Sequence, residues 1–365
     1  MTNRVFLRIA TNRDYLRIAL NLSGCIIQVG VGYLPQVGVG RRIGATPYTV
    51  KAQPAGAAFA IWGIIFPLCI IYGIFQALPG QHASPLLRRI GFFSAAAFYE
   101  TIQWSLIAVL AGPTDDDLRG YVLYEWILSL TLFCGIATPL NYILFTLYQG
   151  RDNLCNTTND DDDDNNTATN NNSSSSSDNI NNINNIKSSS YNITICSGLS
   201  YKEYLCVVIP LSIFAAWTTL ASLVNIGGAL LVSGVANFDV TNAGQGGTVA
   251  YLCCVGTLIV ALIFIYRGLL PFASVAIWAY AWIARANFVS GYNQVGTTAT
   301  VFAALFPIVV FGSKWWWGRR EALTKSHSVS KAAVSPTVFE ARVKIDFEIP
   351  GGGLALPGRV GSAER

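Results

Sequence analysis

Glu100 is the residue whose type and place come nearest to chemistry. It lies in the apolar run FFSAAAFYETIQWSL, residues 92–106. An ionised carboxylate inside a membrane costs on the order of 2.5–3.5 kcal/mol on insertion scales. Such a group must face the bundle interior and be neutral or paired. Two roles stay open for it. It can hydrogen-bond a ligand or relay a proton, or it can make an ordinary interhelical hydrogen bond to Gln103 or another polar group. Glu125 and Arg285 fall near the ends of apolar runs and read as anchors that reach the interface. The only histidines, His82 and His327, stand in polar stretches. A metal site or a Ser/His/Asp triad inside the membrane would lack its usual imidazole. The chain is therefore expected not to be an enzyme, with no catalytic residue, no cofactor and no metal site. No pair among the eight cysteines is spaced as CxxC, so most read as small hydrophobes. Cys155 and Cys196 flank a polar insert and could pair.

The aromatic residues come second. The chain holds nine tryptophans and sixteen tyrosines, more than interface belts require. Trp315, Trp316 and Trp317 close the last apolar run and read as a belt. Trp62, Trp104 and Trp217 sit well inside theirs. Rings of this kind, with a few polar groups, build apolar ligand pockets between helices, although packing is the better account of any one ring alone. Trp217, Ala221 and Asn225 recur at a spacing of four, so they share one helix face. A membrane-buried asparagine needs a partner, which turns that stripe toward protein.

The elements that carry these residues follow from composition. Hydrophobic residues make up 52% of the 365 and charged residues only 12%. Soluble domains carry about 25% charge. Such a chain cannot cover its surface with charge, so lipid must solvate it. The expected architecture is an all-α polytopic transmembrane helical bundle of about eight spans, near 16–34, 55–78, 91–111, 121–148, 203–233, 249–268, 270–288 and 295–316. The seventh is short for an untilted span. The sixth and seventh are parted only by Gly268 to Pro271 and should form a tight hairpin. The expected organisation is spans one to four in 1–155, a disordered Asn/Asp/Ser-rich loop over 156–200, spans five to eight in 201–317, and a polar tail over 318–365. Within that tail residues 339–349 alternate apolar and charged with period two, the pattern of a half-buried strand or of an unstructured tail that happens to alternate. The basic residues are scattered at helix ends, which argues for topology and against nucleic-acid binding.

The run Pro54-Ala55-Gly56-Ala57-Ala58-Phe59-Ala60-Ile61-Trp62-Gly63-Ile64-Ile65-Phe66 resembles the opening signature of a helix in tryptophan-rich sensory proteins, long relatives of the TspO/MBR (translocator protein) family. Phe66 replaces the usual tyrosine. Pro210 to Asn225 is similar to that family's P…W…A…N helix, with the proline seven residues before the tryptophan, as in the longer branch. Trp278-Ala279 is similar to a WA pair of that branch. The resemblance implies a TspO-like five-helix portion and an interhelical pocket for tetrapyrroles or sterols. Carried onto this chain, its pocket residues are Phe59, Trp62, Trp104, Trp217, Ala221 and Asn225, and Glu100 joins them as a candidate polar group. Two sterol-type patterns also occur, Leu144-Tyr148-Arg151 and Val275-Tyr280-Arg285.

The resulting expectation is a multi-pass integral membrane protein that binds an apolar or amphipathic small molecule such as a porphyrin or sterol. The bilayer is its other partner, and small-residue helix faces permit a homodimer. The competing reading is a secondary transporter or permease subunit, because Pro139, Pro210, Pro271 and Pro307 could break helices as transporters do.

Overall fold

The computed structural model describes residues 10–34, 51–110, 118–148, 199–234 and 245–334. The polar insert, the alternating stretch of the tail and the Cys155/Cys196 pairing lie outside the described residues. The chain forms two units, Met1–Trp317 and Gly318–Arg365.

Among the described residues every regular element is helical. The cause is the solvent. Hydrocarbon offers backbone groups no partner, so each segment must satisfy its own. The elements are α1 (Asn12–Gly32), α2 (Trp62–Ala77, led in by a 3₁₀ turn, Gly56–Ile61), α3 (Pro85–Ile90) and α4 (Phe93–Leu110). Then come α5 (Leu118–Leu130, running on through a π stretch, Thr131–Ala137, to Tyr148) and α6 (Tyr201–Val232, with a π stretch at Tyr204–Val208). The series closes with α7 (Gln245–Ile265), α8 (Leu270–Val289) and α9 (Asn293–Val334). All but α3 are long and apolar enough to cross a membrane, giving eight spans among the described residues.

Some boundaries differ from expectation for physical reasons. α1 begins at Asn12 because Thr11 caps it: its backbone N–H and its hydroxyl both donate to Asp14, at 2.9 and 2.8 Å. α8 has 20 residues. At about 1.5 Å per residue it reaches about 30 Å and needs no shortening of the bilayer. α9 continues to Val334, past the expected end at 316, through good helix formers such as Arg319, Arg320, Glu321 and Leu323. The surface helix α3 was not foreseen. Pro85 starts it, and Gly91 at φ 61° turns the chain into α4.

The two π stretches share an origin. Pro139 and Pro210 each follow by two residues. A proline lacks an N–H and its ring crowds the carbonyl four residues back, and a widened turn absorbs both defects.

α6 is the most buried span. Between Pro210 and Leu220 nearly its whole circumference is covered. Its hydroxyls bond back into the helix, as in Thr218 to the Phe214 carbonyl at 2.8 Å. Asn141 ties α5 to α6 and to the α7–α8 turn. Its amide donates to Thr219 Oγ1 at 2.7 Å, and Tyr266 donates to its Oδ1 at 2.7 Å. The α7–α8 hairpin is as tight as expected, with Arg267 at φ 55° and Gly268 at φ 71°. Trp317 closes it by donating to the Phe264 carbonyl at 3.0 Å, with Arg267 4.6 Å above its ring.

One expectation is corrected here. Glu125 does not reach the interface: it is buried at 6% exposure on the inner face of α5. The tyrosine of the second sterol-type pattern lies in the core. Tyr280 is fully buried, donates to the Leu252 carbonyl and packs against Phe306 at 5.1 Å.

Candidate functional site

The motif from Pro54 to Phe66 is held against α8. The Ala55 N–H donates to the Trp282 carbonyl at 3.4 Å, and the Trp278 indole donates to the Ala58 carbonyl at 3.1 Å. The residues between them wind as a 3₁₀ turn, in which side chains three apart eclipse. Phe59 and Trp62 are three apart, so they present their rings together.

Both rings meet α6. Phe59 lies 5.6 Å from Trp217 and Trp62 lies 6.5 Å from it, both edge-on. Trp62 also reaches Phe214 at 6.2 Å and Phe66 at 5.1 Å. Beneath them Phe214 stacks on Phe98 of α4 at 5.9 Å and 9°, and Phe98 meets Tyr72 at 6.1 Å. Burial is graded. Phe98, Phe214 and Trp217 are almost wholly buried, whereas Phe59 and Trp62 are half-buried. The cluster thus has a closed floor and a partly open rim.

Its polar content is sparse. The Trp217 indole N–H is buried and has no hydrogen-bond partner. In an apolar bundle a donor in that state costs free energy until something accepts from it. Above Trp217 on the same face, Ala221 and Asn225 are half-buried and extend the stripe toward the end of α6. They rise by about 6 Å per step of four residues. The asparagine that bridges helices is Asn141, and the Asn225 amide makes no hydrogen bond to a described residue.

Two of the expected site residues stand apart. Trp104 is buried and its indole N–H also lacks a partner, but it makes no ring contact with the cluster. Glu100 is half-buried on the far side of α4 from Phe98. Two residues on a helix turn about 200°, so when Phe98 faces α6, Glu100 faces away. Its carboxylate rests against α5 at Gly135, where a Cβ would come within 2.9 Å of Glu100 Cγ and Oε2. Gln103 is exposed and makes no bond to it.

Phe98 and Phe214 form the floor and were not foreseen. Phe214 could have been found: it precedes Trp217 by three, so the two share a helix face. Phe98 carries no local signal, because its partner is more than a hundred residues away. No group of three His, Cys, Asp or Glu able to hold a metal ion occurs among the described residues.

A family model described as TSPO-like protein matches residues 19–160 and 177–312. The aromatic cluster falls within these two stretches. No curated protein and no solved structure matches the chain.

Proposed function

We infer the function from one premise: this multi-pass integral membrane protein belongs to the TSPO-like family. We propose that the aromatic cluster binds an apolar or amphipathic small molecule of porphyrin or sterol type, and that the protein senses, carries or sequesters it without catalysing a reaction. The observation that supports this most is the pairing of the partly open Phe59/Trp62 rim with the unpartnered indole N–H of Trp217 behind it. Flat apolar ligands stack on such rings, and one acceptor on the ligand would satisfy the donor. The test is a titration of the protein in nanodiscs with protoporphyrin and then with a sterol, followed by tryptophan fluorescence. Saturable quenching at micromolar ligand that weakens about tenfold or more, a loss of at least about 1.4 kcal/mol, in Trp217→Ala and Trp62→Ala is expected. Unchanged binding in both variants would remove the cluster as the site.

A second reading, a secondary transporter, is favoured by the half-buried Glu100 carboxylate beside the π stretch of α5. It requires proton-coupled uptake into vesicles that Glu100→Gln abolishes. Uptake that is absent, or indifferent to that change, leaves the binding role alone.

A further inference from the structure

A second cluster of buried, unpartnered donors lies at the end of the bundle where α1 begins and α2 ends. Asp14, in the first turn of α1, is buried. It accepts two hydrogen bonds from Arg88 of α3, at 3.0 Å from Nε and 2.7 Å from Nη2. It accepts a longer one, at 3.3 Å, from Arg17. Arg17 is only 2% exposed, and its other terminal nitrogen donates to the His82 carbonyl at 3.0 Å. One carboxylate therefore faces two guanidiniums. Arg88 holds it at shorter distance, so Asp14 is shared and compensates the buried Arg17 only in part.

Three polar groups without partners belong to this end of the bundle: Arg17 Nε–H, the Gln76 amide and the Ser84 hydroxyl. Connections fix their neighbourhood. Tyr72 Oη pairs with Ser94 Oγ at 2.8 Å, and Ser94 donates to Asn21, one turn from Arg17. Gln76 follows Tyr72 by one turn on α2, toward the Arg17 end. Ser84 lies two residues past His82, and its carbonyl accepts the Arg88 backbone N–H at 3.0 Å. Gln76 is 0% exposed and Ser84 8%, so water at the surface does not satisfy either.

We propose that this corner binds an oxyanion, the carboxylate or phosphate of a ligand distinct from the one in the aromatic cluster. Excess positive charge selects for an anion, and three preset donors replace the hydration that the anion gives up. The Arg88 side chain is 36% exposed while bonded to the buried Asp14, so it links the corner to the surface. The corner lies at the end of the spans, which offers two sources for the same chemistry: an anionic lipid headgroup or a free anion from water. The proposal does not depend on the aromatic site.

The test uses the full chain in neutral detergent and follows thermal unfolding. Inorganic phosphate is titrated against sodium chloride of equal ionic strength. Dioctanoyl phosphatidic acid is titrated against dioctanoylglycerol. The expected result is a saturable rise in Tm with at least one anion and none with its control. Gln76→Leu and Ser84→Ala should each cut that rise by about half or more; both keep the charges that hold α1, so both should fold. A response to inorganic phosphate shows that a free anion suffices, and a response to phosphatidic acid alone identifies a headgroup. No rise beyond the controls, or a rise that both variants keep in full, overturns the proposal.

Discussion

The rim above Trp217 and the corner around Arg17 contain the same defect in opposite surroundings. Each holds a buried N–H with no acceptor. Around Trp217 the neighbours are rings: Phe59, Trp62 and Phe214. Around Arg17 they are charges and hydroxyls: Asp14, Arg88, Ser84 and, through Ser94, Tyr72. An unpaired donor says only that an acceptor is wanted. The surroundings decide what carries it. Rings favour a flat apolar body with one acceptor atom, and surplus cationic charge favours an oxyanion.

The largest effect that would sharpen this contrast is at Asp14. Asp14→Ala leaves Arg17 buried without a counter-charge, and breaking one side of a buried pair costs about 3–5 kcal/mol. Thermal unfolding should show a large fall in Tm, while porphyrin affinity per folded molecule stays near wild type. If affinity falls in step with Tm, the two regions are one cooperative site and the contrast fails.

Trp217 gives the reciprocal case. Trp217→Ala removes ring and donor and should weaken porphyrin binding about tenfold or more, a loss of at least about 1.4 kcal/mol. Trp217→Phe keeps most of the packing and deletes only the N–H. Intermediate affinity in the Phe variant assigns the remainder to the hydrogen bond. Wild-type affinity there would mean that the ligand does not use the donor. Neither change should alter the response to phosphate.

A smaller effect belongs to Gly135, which makes room for Glu100. Gly135→Ala puts a methyl 2.9 Å from the Glu100 side chain. Overpacking of this kind costs about 1–3 kcal/mol. The double variant with Glu100→Ala should recover part of that loss in unfolding measurements. Strict additivity would mean that the two residues do not touch.

The sequence made the bundle legible and the sites only partly so. Apolar run length counts spans directly, so the eight helices could be placed. The Pro54–Phe66 motif and its residues Phe59 and Trp62 were legible through resemblance, and Trp217 through its spacing of four from Ala221 and Asn225; that the motif opens in a 3₁₀ turn was not. Phe98 was not, because stacking on Phe214 is a tertiary event with no local trace. Glu100 stands out in the sequence through the cost of a membrane carboxylate, yet that cost says nothing about which helix face the residue occupies. Arg17, Asn21 and Gln28 interrupt the apolar run of the first span. The first two are instead what joins α1 to its neighbours: Arg17 bonds to Asp14 and to the His82 carbonyl, and Asn21 accepts from Ser94. Polar residues inside a span read as defects in one dimension and as connections in three.

The finest test separates the site's walls from what holds them. Trp278 donates its indole N–H to the Ala58 carbonyl, next to Phe59, whereas Trp282 holds the same turn through its backbone carbonyl. Trp278→Phe deletes a hydrogen bond, and Trp282→Phe keeps one. A typical net hydrogen bond contributes about 0.5–1.5 kcal/mol, so the stability loss in the first variant should be small. Its consequence at the rim should be clearer than its cost. Without the anchor at Ala58 the 3₁₀ turn is freer, Phe59 is less preset against Trp217, and binding must supply the ordering. Porphyrin affinity should therefore fall severalfold in Trp278→Phe and hold in Trp282→Phe. Equal losses in the two would mean that the α8 rings act through packing alone, and the rim would then be shaped by α6 rather than by the turn that carries it.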